Sequence, residues 1–429
     1  MRYHKQFLIF LAMAAVLIIG LVPVAAQTNT TLIVWDNWTR DAEQAMIEQL
    51  DKQFETAHAG VTIQREAYST DDLGLTLPRA LTQSTGPDVA MINQGLTNMA
   101  AMVKAGLLLP LNTYADKYKW WDRYGAGLHA RNSVTDDGAH VGSGSLYGMS
   151  VTSEVVAVFY NKDIFDKLKL SVPTTWDELT ADFEAIKTGG YIPITFGNLE
   201  GWPGIHTYGA VAHVYSDIKA INDMIYRNEG GTFKTDGNLK GAQTFVDWLD
   251  KGYFSPGFAG MDNDTGALGE FTGAKSAMWL AGSWNSGSIT AVLGEDKVGF
   301  FILPSPLGDK VAPTIGGIGL GYGIRKTSNN ADLAAEYIDF ISSPDAANVL
   351  FDNGFLPAIA VDSAKLKKGT LTADMVNAWT TISTADKVGQ YFDWTLPDIG
   401  SRIQELAGKQ VTPEQFVDEV QKDYEAGAK

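Results

Sequence analysis

The hydrophobic positions along this chain alternate between a spacing typical of strands and a spacing typical of helices. Residues 31–35 and 61–67 read as strands, the second because apolar and polar residues alternate along it. Between them, Met46, Leu50 and Phe54 recur every fourth residue, as on one face of a helix. Further short apolar strands are predicted at 88–92, 155–160, 191–196, 276–280, 297–303 and 318–324. Strand–helix alternation over most of the chain predicts α/β lobes built on parallel-type sheets.

Helix ends are signalled in four places. Residues 173–179 hold a threonine followed by two acidic residues, which is a typical helix start. Asn330 is expected to cap a helix with a strong apolar face, and a helix over 96–106 is expected to end at its glycine. Residues 413–429 form an amphipathic segment and are predicted to be helical.

The composition narrows the class of protein. The chain has 429 residues, 45% hydrophobic and 19% charged, which fits a globular protein of two or three domains or two large lobes. Its formal net charge of −17 argues against nucleic acid as a partner, because phosphate contacts need clustered Lys and Arg. There is no cysteine, so disulfides, thiolate metal sites, cysteine nucleophiles and a lipid-modified cysteine are excluded.

Residues 1–26 have the layout of a secretory signal peptide. Residues 1–6 are basic, 7–22 are an uncharged apolar run, and small residues stand at 24–26. A retained membrane anchor is the alternative, because 7–26 is just long enough to span a bilayer. The small residues and the polar segment after them favour cleavage, which predicts a protein of the periplasm or another extracytoplasmic space.

Patterns typical of catalysis or metal binding are weak. The six histidines are scattered, and none has the His-Glu-x-x-His spacing that places two metal ligands on one helical face. Residues 262–266 resemble the start of a calcium loop but lack the glutamate at its end, so a solvated turn is expected. No pair of carboxylates stands out among the 50 Asp and Glu residues. We therefore predict no catalytic residue, no metal site and no cofactor.

A glycine-rich stretch over 316–323 lacks the spacing of a phosphate-binding loop. Its glycines alternate with apolar residues, so they line one face of a predicted strand. Two interpretations stay open for Gly316 and Gly317. One is close packing against another backbone, and the other is the approach of a ligand to bare backbone.

Tryptophan is the more informative residue, with 11 in the chain. Four stand in loop-like positions after predicted strands or beside polar residues: Trp38 after Asp36 and Asn37, Trp202, Trp284 before Asn285, and Trp394 after Asp393. A sugar ring has an apolar face and a rim of hydroxyls, which indole rings beside carboxylates and amides match. For each tryptophan alone a core position fits equally well, but together they indicate a carbohydrate cleft.

Several short segments occur in an order that resembles one protein family. They are 82–89, 102–110, 146–149, 158–163, 173–179, 271–278, 282–284, 303–304 and 331–344. The ordered set resembles the extracellular solute-binding proteins of bacterial ABC importers, family 1, which includes maltose-binding protein. The resemblance covers nearly the whole chain beyond residue 26, although no single segment is specific to the family.

The resemblance implies a type II periplasmic binding protein fold, with two α/β lobes joined by hinge strands and parallel-type sheets flanked by helices. The first lobe is then expected at 27–148 and 305–352, and the second at 149–304 and 353–429. It further implies an unlipidated protein, a monomer, that delivers its solute to the transmembrane subunits of an ABC permease.

Matching motif to motif, the resemblance also implies ligand-binding positions between the lobes. Glu154 matches a cleft glutamate, and Trp284 matches the stacking position of a Gly-x-Trp motif. The full set, with polar neighbours of the tryptophans added, is Asp36, Asn37, Trp38, Gln94, Glu154, Trp202, Trp284, Asn285, Gly316, Gly317, Asp393 and Trp394.

The favoured hypothesis is therefore capture of a sugar or oligosaccharide by aromatic stacking and hydroxyl hydrogen bonds, followed by closure of the lobes. Two alternatives remain. The same scaffold is compatible with a polyamine, an amino acid or a phosphodiester, and a secreted carbohydrate-active enzyme is the third hypothesis.

Overall fold

The computed structural model describes residues 29–427, and the predicted signal peptide lies outside them. The described residues form two mixed β-sheets covered by helices, together with a small antiparallel pair in which Ser133–Val134 faces Ser145–Leu146. Among residues 29–427, no helix combines the length and the apolar character that crossing a membrane requires.

The strands of this range are, in chain order, β1 (Thr30–Asp36), β2 (Val61–Ala67), β3 (Val89–Ile92), β4 (Ser133–Val134), β5 (Ser145–Leu146), β6 (Met149–Ser150), β7 (Ser153–Asn161), β8 (Ile192–Thr195), β9 (Ser276–Gly282), β10 (Val298–Phe301), β11 (Thr314–Ile318), β12 (Gly321–Ile324) and β13 (Val388–Gly389).

The α-helices are α1 (Asp41–Ala57), α2 (Thr70–Ala80), α3 (Met99–Lys104), α4 (Asn112–Tyr118), α5 (Ala126–His129), α6 (Lys162–Leu168), α7 (Trp176–Thr188), α8 (Trp202–Val214), α9 (Ile218–Ile225), α10 (Asp236–Asp250), α11 (Leu268–Thr272), α12 (Ser286–Leu293), α13 (Ala331–Ile341), α14 (Pro344–Asp352), α15 (Leu371–Thr384), α16 (Ile399–Ala407) and α17 (Pro413–Ala426). Single turns of 3₁₀ helix include Ala130–Asn132, Ser283–Asn285 and Phe392–Trp394, and Asn263–Ala267 is a π-helical turn.

The first sheet has the strand order β2-β1-β3-β12-β6 and forms the first lobe. Strand β1 pairs in parallel with β2 and β3, as the sequence pattern predicts. Strand β12 runs antiparallel to both β3 and β6, so the sheet is mixed. Leu32 and Val34 of β1 share a core with Met46, Leu50 and Phe54, the apolar stripe of α1.

The second sheet has the order β13-β11-β7-β9-β8, with β10 also paired to β7, and forms the second lobe. Its central strand β7 sends Val156 and Val158 into one core and Val155, Ala157 and Phe159 into another. Because both faces are covered, this strand is an almost continuous apolar run in the sequence.

The chain crosses between the two sheets at three places. Residues 151–152 join β6 to β7, residues 319–320 join β11 to β12, and residues 355–358 lie between α14 of the first lobe and α15 of the second. Thr152 also pairs with Pro357, so two of the crossings lie side by side. Three short crossings hold the lobes over one another.

These crossings correct two expectations. We expected one strand over 318–324, but it is the end of β11 and the whole of β12, which lie in different sheets. The expected first-lobe segment 305–352 therefore includes β11, which pairs with β7 of the second sheet. Glycine and apolar residues keep alternating through the bend, so the sequence pattern gives no sign that the chain crosses from one sheet to the other there.

The helix ends are partly as predicted. Thr175 and Glu178 form the capping box that begins α7, and the last helix begins at Pro413. Asn330 does not cap α13 with its side chain, which donates instead to Asp88 Oδ2 at 3.2 Å and to the Thr31 carbonyl at 3.3 Å. The helix predicted over 96–106 begins only at Met99.

Asp36 is fully buried and paired with Arg65. The two guanidinium nitrogens Nε and Nη2 of Arg65 donate to its carboxylate at 2.6 and 2.7 Å, and the backbone N–H of Trp38 donates at 3.0 Å. Asp36 was predicted to bind ligand, but its carboxylate is satisfied by this pair, which fastens the end of β1 to β2.

We expect Asp36→Ala to lower the free energy of unfolding by about 3–5 kcal/mol, because it leaves the poorly exposed Arg65 cation without its partner. Urea titration followed by circular dichroism measures this loss. The control is Asp418→Ala, which removes an exposed pair with Lys234 and should change stability little. Equal losses in the two variants would contradict a structural role specific to Asp36.

Candidate functional site

A cavity lies between the two lobes at the crossings. It holds about 1140 Å³ free of protein atoms, part of it open to solvent. Eight of the predicted site residues line it: Asn37, Trp38, Gln94, Glu154, Trp202, Trp284, Asp393 and Trp394. We call this space the aromatic cavity, after the rings that form its second-lobe wall: Trp202, His206, Trp284, Tyr391 and Trp394.

The topology explains why these residues meet. Asn37 and Gln94 follow the carboxyl ends of the parallel strands β1 and β3, while Trp202 and Trp284 follow those of β8 and β9. Glu154 stands at the start of the antiparallel strand β7, which brings it to the same edge. Loops after parallel strands gather at one edge of a sheet, and here two such edges face each other.

His206 and Tyr391 complete the aromatic wall and were not predicted. The His206 ring lies 5.2 Å from Trp202, 5.2 Å from Trp284 and 5.3 Å from Tyr391, measured between ring centroids. Burial lowers the pKa of His206 to about 3, so the imidazole is neutral at physiological pH. His206 stands one helical turn after Trp202 on α8, a spacing that places both rings on one face and was available in the sequence.

Trp284 owes its position to a glycine. A Cβ built on Gly282 would lie 2.1 Å from the Trp284 ring, so the indole lies directly over bare strand backbone. This close approach gives a physical reason for the Gly-Ser-Trp spacing. The result is a half-buried, flat indole face presented to the cavity.

The four tryptophans in the cavity are not equivalent. Trp38 is 6% exposed, and its indole N–H donates to the Tyr322 hydroxyl at 2.6 Å, so it mainly belongs to the first-lobe core. Trp394 is 1% exposed and packs on the guanidinium of Arg131, whose Cζ lies 4.6 Å from the ring centroid. Trp202 and Trp284 are the two with substantial exposed ring surface.

Arg131 is a buried cation that joins the lobes. It belongs to the first lobe and donates to the Gly316 carbonyl of β11 in the second sheet. A Cβ on Gly317 would lie 1.6 Å from Arg131 Nη1, so this glycine makes room for the guanidinium. Of the two interpretations of the glycines, close packing is the one observed, and neither Gly316 nor Gly317 lines the cavity.

Glu154 lies beside this cation. Its Oε2 accepts a hydrogen bond from the Tyr391 hydroxyl at 3.0 Å. Burial raises the pKa of Glu154, while the charge of Arg131 and the Tyr391 hydroxyl restrain that rise. The Glu154 carboxyl thus lines the cavity and is held in place by the Tyr391 hydroxyl and the charge of Arg131.

Asn285 also differs from expectation. Its side chain is buried, and Nδ2 donates to the Gly282 carbonyl at 3.1 Å, which stabilises the turn that carries Trp284. It does not line the cavity. Asn285 thus supports the neighbouring indole from outside the cavity.

Several polar groups in the cavity have no protein partner. The Oδ1 atom of Asp393, the Oγ atom of Ser153 and the Nε atom of Arg40 are all buried and make no hydrogen bond within the protein. Asn37 donates to Thr70 Oγ1 at 3.0 Å, and Gln94 Nε2 donates to the Gly319 carbonyl at 2.5 Å, so these amides are partly engaged. Asp393, Ser153 and Arg40 are therefore the lining residues that keep unused hydrogen-bonding capacity.

The lobes also touch beside the cavity. The Leu96 N–H of the first lobe donates to the Trp394 carbonyl of the second at 2.7 Å. At another edge, Arg40 Nη2 of the first lobe lies 2.8 Å from Asp264 Oδ1 of the second. These contacts describe lobes drawn together around a partly enclosed space.

Residues 29–427 contain no cluster of three His, Asp or Glu side chains placed to hold a metal ion. The turn at 262–266 is a local structure in which Asp262 accepts hydrogen bonds from Thr265 and Gly266.

The sequence profile of the bacterial extracellular solute-binding proteins matches residues 37–348, and the chain belongs to this family. The multiple sugar-binding protein of Streptococcus mutans is 24% identical over 345 residues, covering 76% of this chain and 75% of that protein. The family predicted from the ordered motifs is thereby confirmed.

Solved structures show the same architecture. A chitin oligosaccharide binding protein matches with a TM-score of 0.76 and 23% identity, over 92% of this chain and 99% of that chain. The maltose-maltodextrin binding protein of Alicyclobacillus acidocaldarius matches with a TM-score of 0.70 and 20% identity, over 92% and 100%. The predicted two-lobed α/β fold is confirmed, with mixed sheets where parallel ones were expected.

We expect Asp393→Asn to raise the melting temperature at pH 7.5 and to have a smaller effect at pH 4.5. Burial raises the pKa of Asp393 to about 6 from 3.8, so the native state binds the proton more tightly than the unfolded state. Above pH 6 the buried carboxyl is ionised in the native state, which destabilises the fold. The neutral amide of asparagine does not place a charge there. Differential scanning calorimetry at the two pH values measures the effect.

The control is a carboxyl whose pKa is shifted in the opposite direction. The Thr135 hydroxyl lowers the pKa of the exposed Asp137, so Asp137→Asn should not raise the melting temperature at pH 7.5. If the difference in melting temperature between Asp393→Asn and the parent is the same at pH 7.5 and pH 4.5, the burial argument is contradicted.

Proposed function

We propose that this chain captures a neutral sugar or oligosaccharide in the aromatic cavity and delivers it to the transmembrane subunits of an ABC permease. One observation carries the proposal. The half-buried indoles of Trp202 and Trp284 line the same inter-lobe cavity as polar groups that have no partner within the protein. Indole faces match the apolar face of a sugar ring, while Asp393 and Ser153 match its hydroxyl rim.

The charge of the cavity argues against an anionic solute. Arg40 is paired with Glu43 at 2.9 Å and with Asp264 at 2.8 Å. The other charged lining groups are the carboxyls of Asp71, Glu154 and Asp393. Because no unpaired cation lines the cavity within the described residues, a phosphorylated or acidic sugar would meet carboxyls without a compensating charge.

The position of the cavity supports closure around the solute. A ligand favours the closed state only through contacts that are stronger there than in the open state. Trp202 and Trp284 belong to the second lobe, while Asn37 and Gln94 belong to the first. A solute held by both sets bridges the lobes about the three crossings, a hinge closure of the kind described for periplasmic binding proteins.

The names of relatives support the same class of solute. The Streptococcus mutans relative is named a multiple sugar-binding protein, and the two solved structures are named for chitin oligosaccharide and maltose-maltodextrin binding. We extend this to a monomeric, unlipidated protein of the periplasm or a similar extracytoplasmic space. The absence of cysteine from the sequence is consistent with no lipid anchor on that residue.

We expect Trp284→Ala to weaken saccharide binding by about tenfold to a hundredfold, because it removes the main stacking face. Isothermal titration calorimetry against neutral mono-, di- and oligosaccharides, with spermidine and amino acids in the same panel, identifies the solute and measures the loss. Trp121→Ala is the matched control, because Trp121 is 38% exposed and lies outside the cavity.

Three outcomes would contradict the proposal. Heat from spermidine or an amino acid but from no saccharide would favour the same scaffold with another solute. Full affinity in Trp284→Ala would remove the stacking argument. Product that accumulates with time in a mixture of protein and oligosaccharide, followed by chromatography, would indicate an enzyme.

A further inference from the structure

A second space adjoins the aromatic cavity on its first-lobe side. It holds about 1160 Å³ free of protein atoms and is open to solvent. Six residues line both spaces, including Asp71, Asn93 and Asp393, so the two lie side by side. We call the second space the outer groove.

The walls of the outer groove are aliphatic. Beyond the shared residues they are formed mainly by Leu73, Leu75, Leu77, Ile92, Met102 and Pro397. Leu75 of the first lobe is 81% exposed, and the exposed Pro397 stands on the second-lobe side. An aliphatic wall directly beside a ligand cavity, with the exposed Leu75 at its outer edge, is the feature that calls for an occupant.

Polar groups inside the outer groove are largely engaged with one another. Thr97 Oγ1 donates to the Asp393 carbonyl at 3.2 Å, and Asn98 Nδ2 donates to Thr97 Oγ1 at 3.1 Å. No aromatic ring lines the groove within the described residues, so it lacks the stacking faces of the aromatic cavity. The available carboxyls, Asp71 and Asp393, stand at the junction between the two spaces.

This division indicates a solute with two chemically different parts. We propose that the outer groove binds an apolar aglycone, an alkyl or aryl group, attached to one end of the saccharide held in the aromatic cavity. The carboxyls at the junction then lie beside the glycosidic link and the last sugar hydroxyls. The inference rests on the proposed function, because it names the class of saccharide that the same site prefers.

Matched pairs of ligands test the inference. Cellobiose, maltose, lactose and N,N′-diacetylchitobiose are each compared by calorimetry with their 4-nitrophenyl glycosides. For the saccharide that binds, the 4-nitrophenyl glycoside should bind at least about tenfold more tightly, because the aryl group leaves water for an aliphatic wall. Equal affinities within every pair that binds would overturn the inference.

A surface variant separates the two spaces. Leu75→Asp should remove the gain from the aryl group and leave the affinity for the free saccharide unchanged, because Leu75 lines the outer groove only. Leu307→Asp is the matched control, since Leu307 is 54% exposed and lines neither space. A gain that survives Leu75→Asp would place the aryl group elsewhere.

Methionine methyl resonances give a readout that needs no saccharide. Met102 lines the outer groove only, whereas Met91 lines both spaces. In protein labelled with [¹³C-methyl]methionine, 4-nitrophenol alone should shift the Met102 signal saturably, with no saccharide present that could move the lobes. Met102→Leu assigns the signal.

The two proposals fail differently. If free saccharides bind but no aryl compound shifts the Met102 signal, the aglycone site is wrong and the proposed function stands. If 4-nitrophenol shifts the Met102 signal but no saccharide or glycoside gives heat, the groove is apolar as described and the sugar part of both proposals is wrong.

Discussion

Three short crossings of the chain between two sheets are the constraint on which the rest of this structure depends. They set the carboxyl ends of β1 and β3 opposite those of β8 and β9, so loops from distant parts of the sequence share one space. Arg131 strengthens the arrangement, since its buried guanidinium reaches from one lobe to the β11 backbone of the other. A cavity built this way responds to any relative movement of the lobes.

Sequence patterns predicted the elements well where one local rule decides the outcome. Alternation in β2, the four-residue stripe of α1 and the capping box of α7 depend only on near neighbours. The bend at 319–320 was missed because glycine–apolar alternation runs through it unchanged. Only tertiary pairing shows that β11 and β12 belong to different sheets.

The candidate site shows the same limit at the level of side chains. Loop tryptophans after strands predicted the right region, and Trp202 and Trp284 do line the cavity. Asp36 and Gly317 have residue types suited to ligand contact. The Asp36 carboxylate instead accepts hydrogen bonds from Arg65, and the space beside Gly317 is filled by the guanidinium of Arg131. His206 was missed because its spacing from Trp202 has meaning only once both are placed on one helix, and because its contacts with Trp284 and Tyr391 are tertiary.

The ion pair between Arg40 and Asp264 has a consequence for the surroundings in which the molecule operates. It bridges the two lobes at 2.8 Å, and the Asp264 side chain is 47% exposed. The Arg40 side chain is only 19% exposed, so dissolved ions screen this pair less than a fully exposed one, with a Debye length of about 8 Å at physiological ionic strength and about 3 Å at 1 M salt. Because the pair forms only while the two lobes are close together, weakening it with salt would tilt the equilibrium modestly toward the separated lobes.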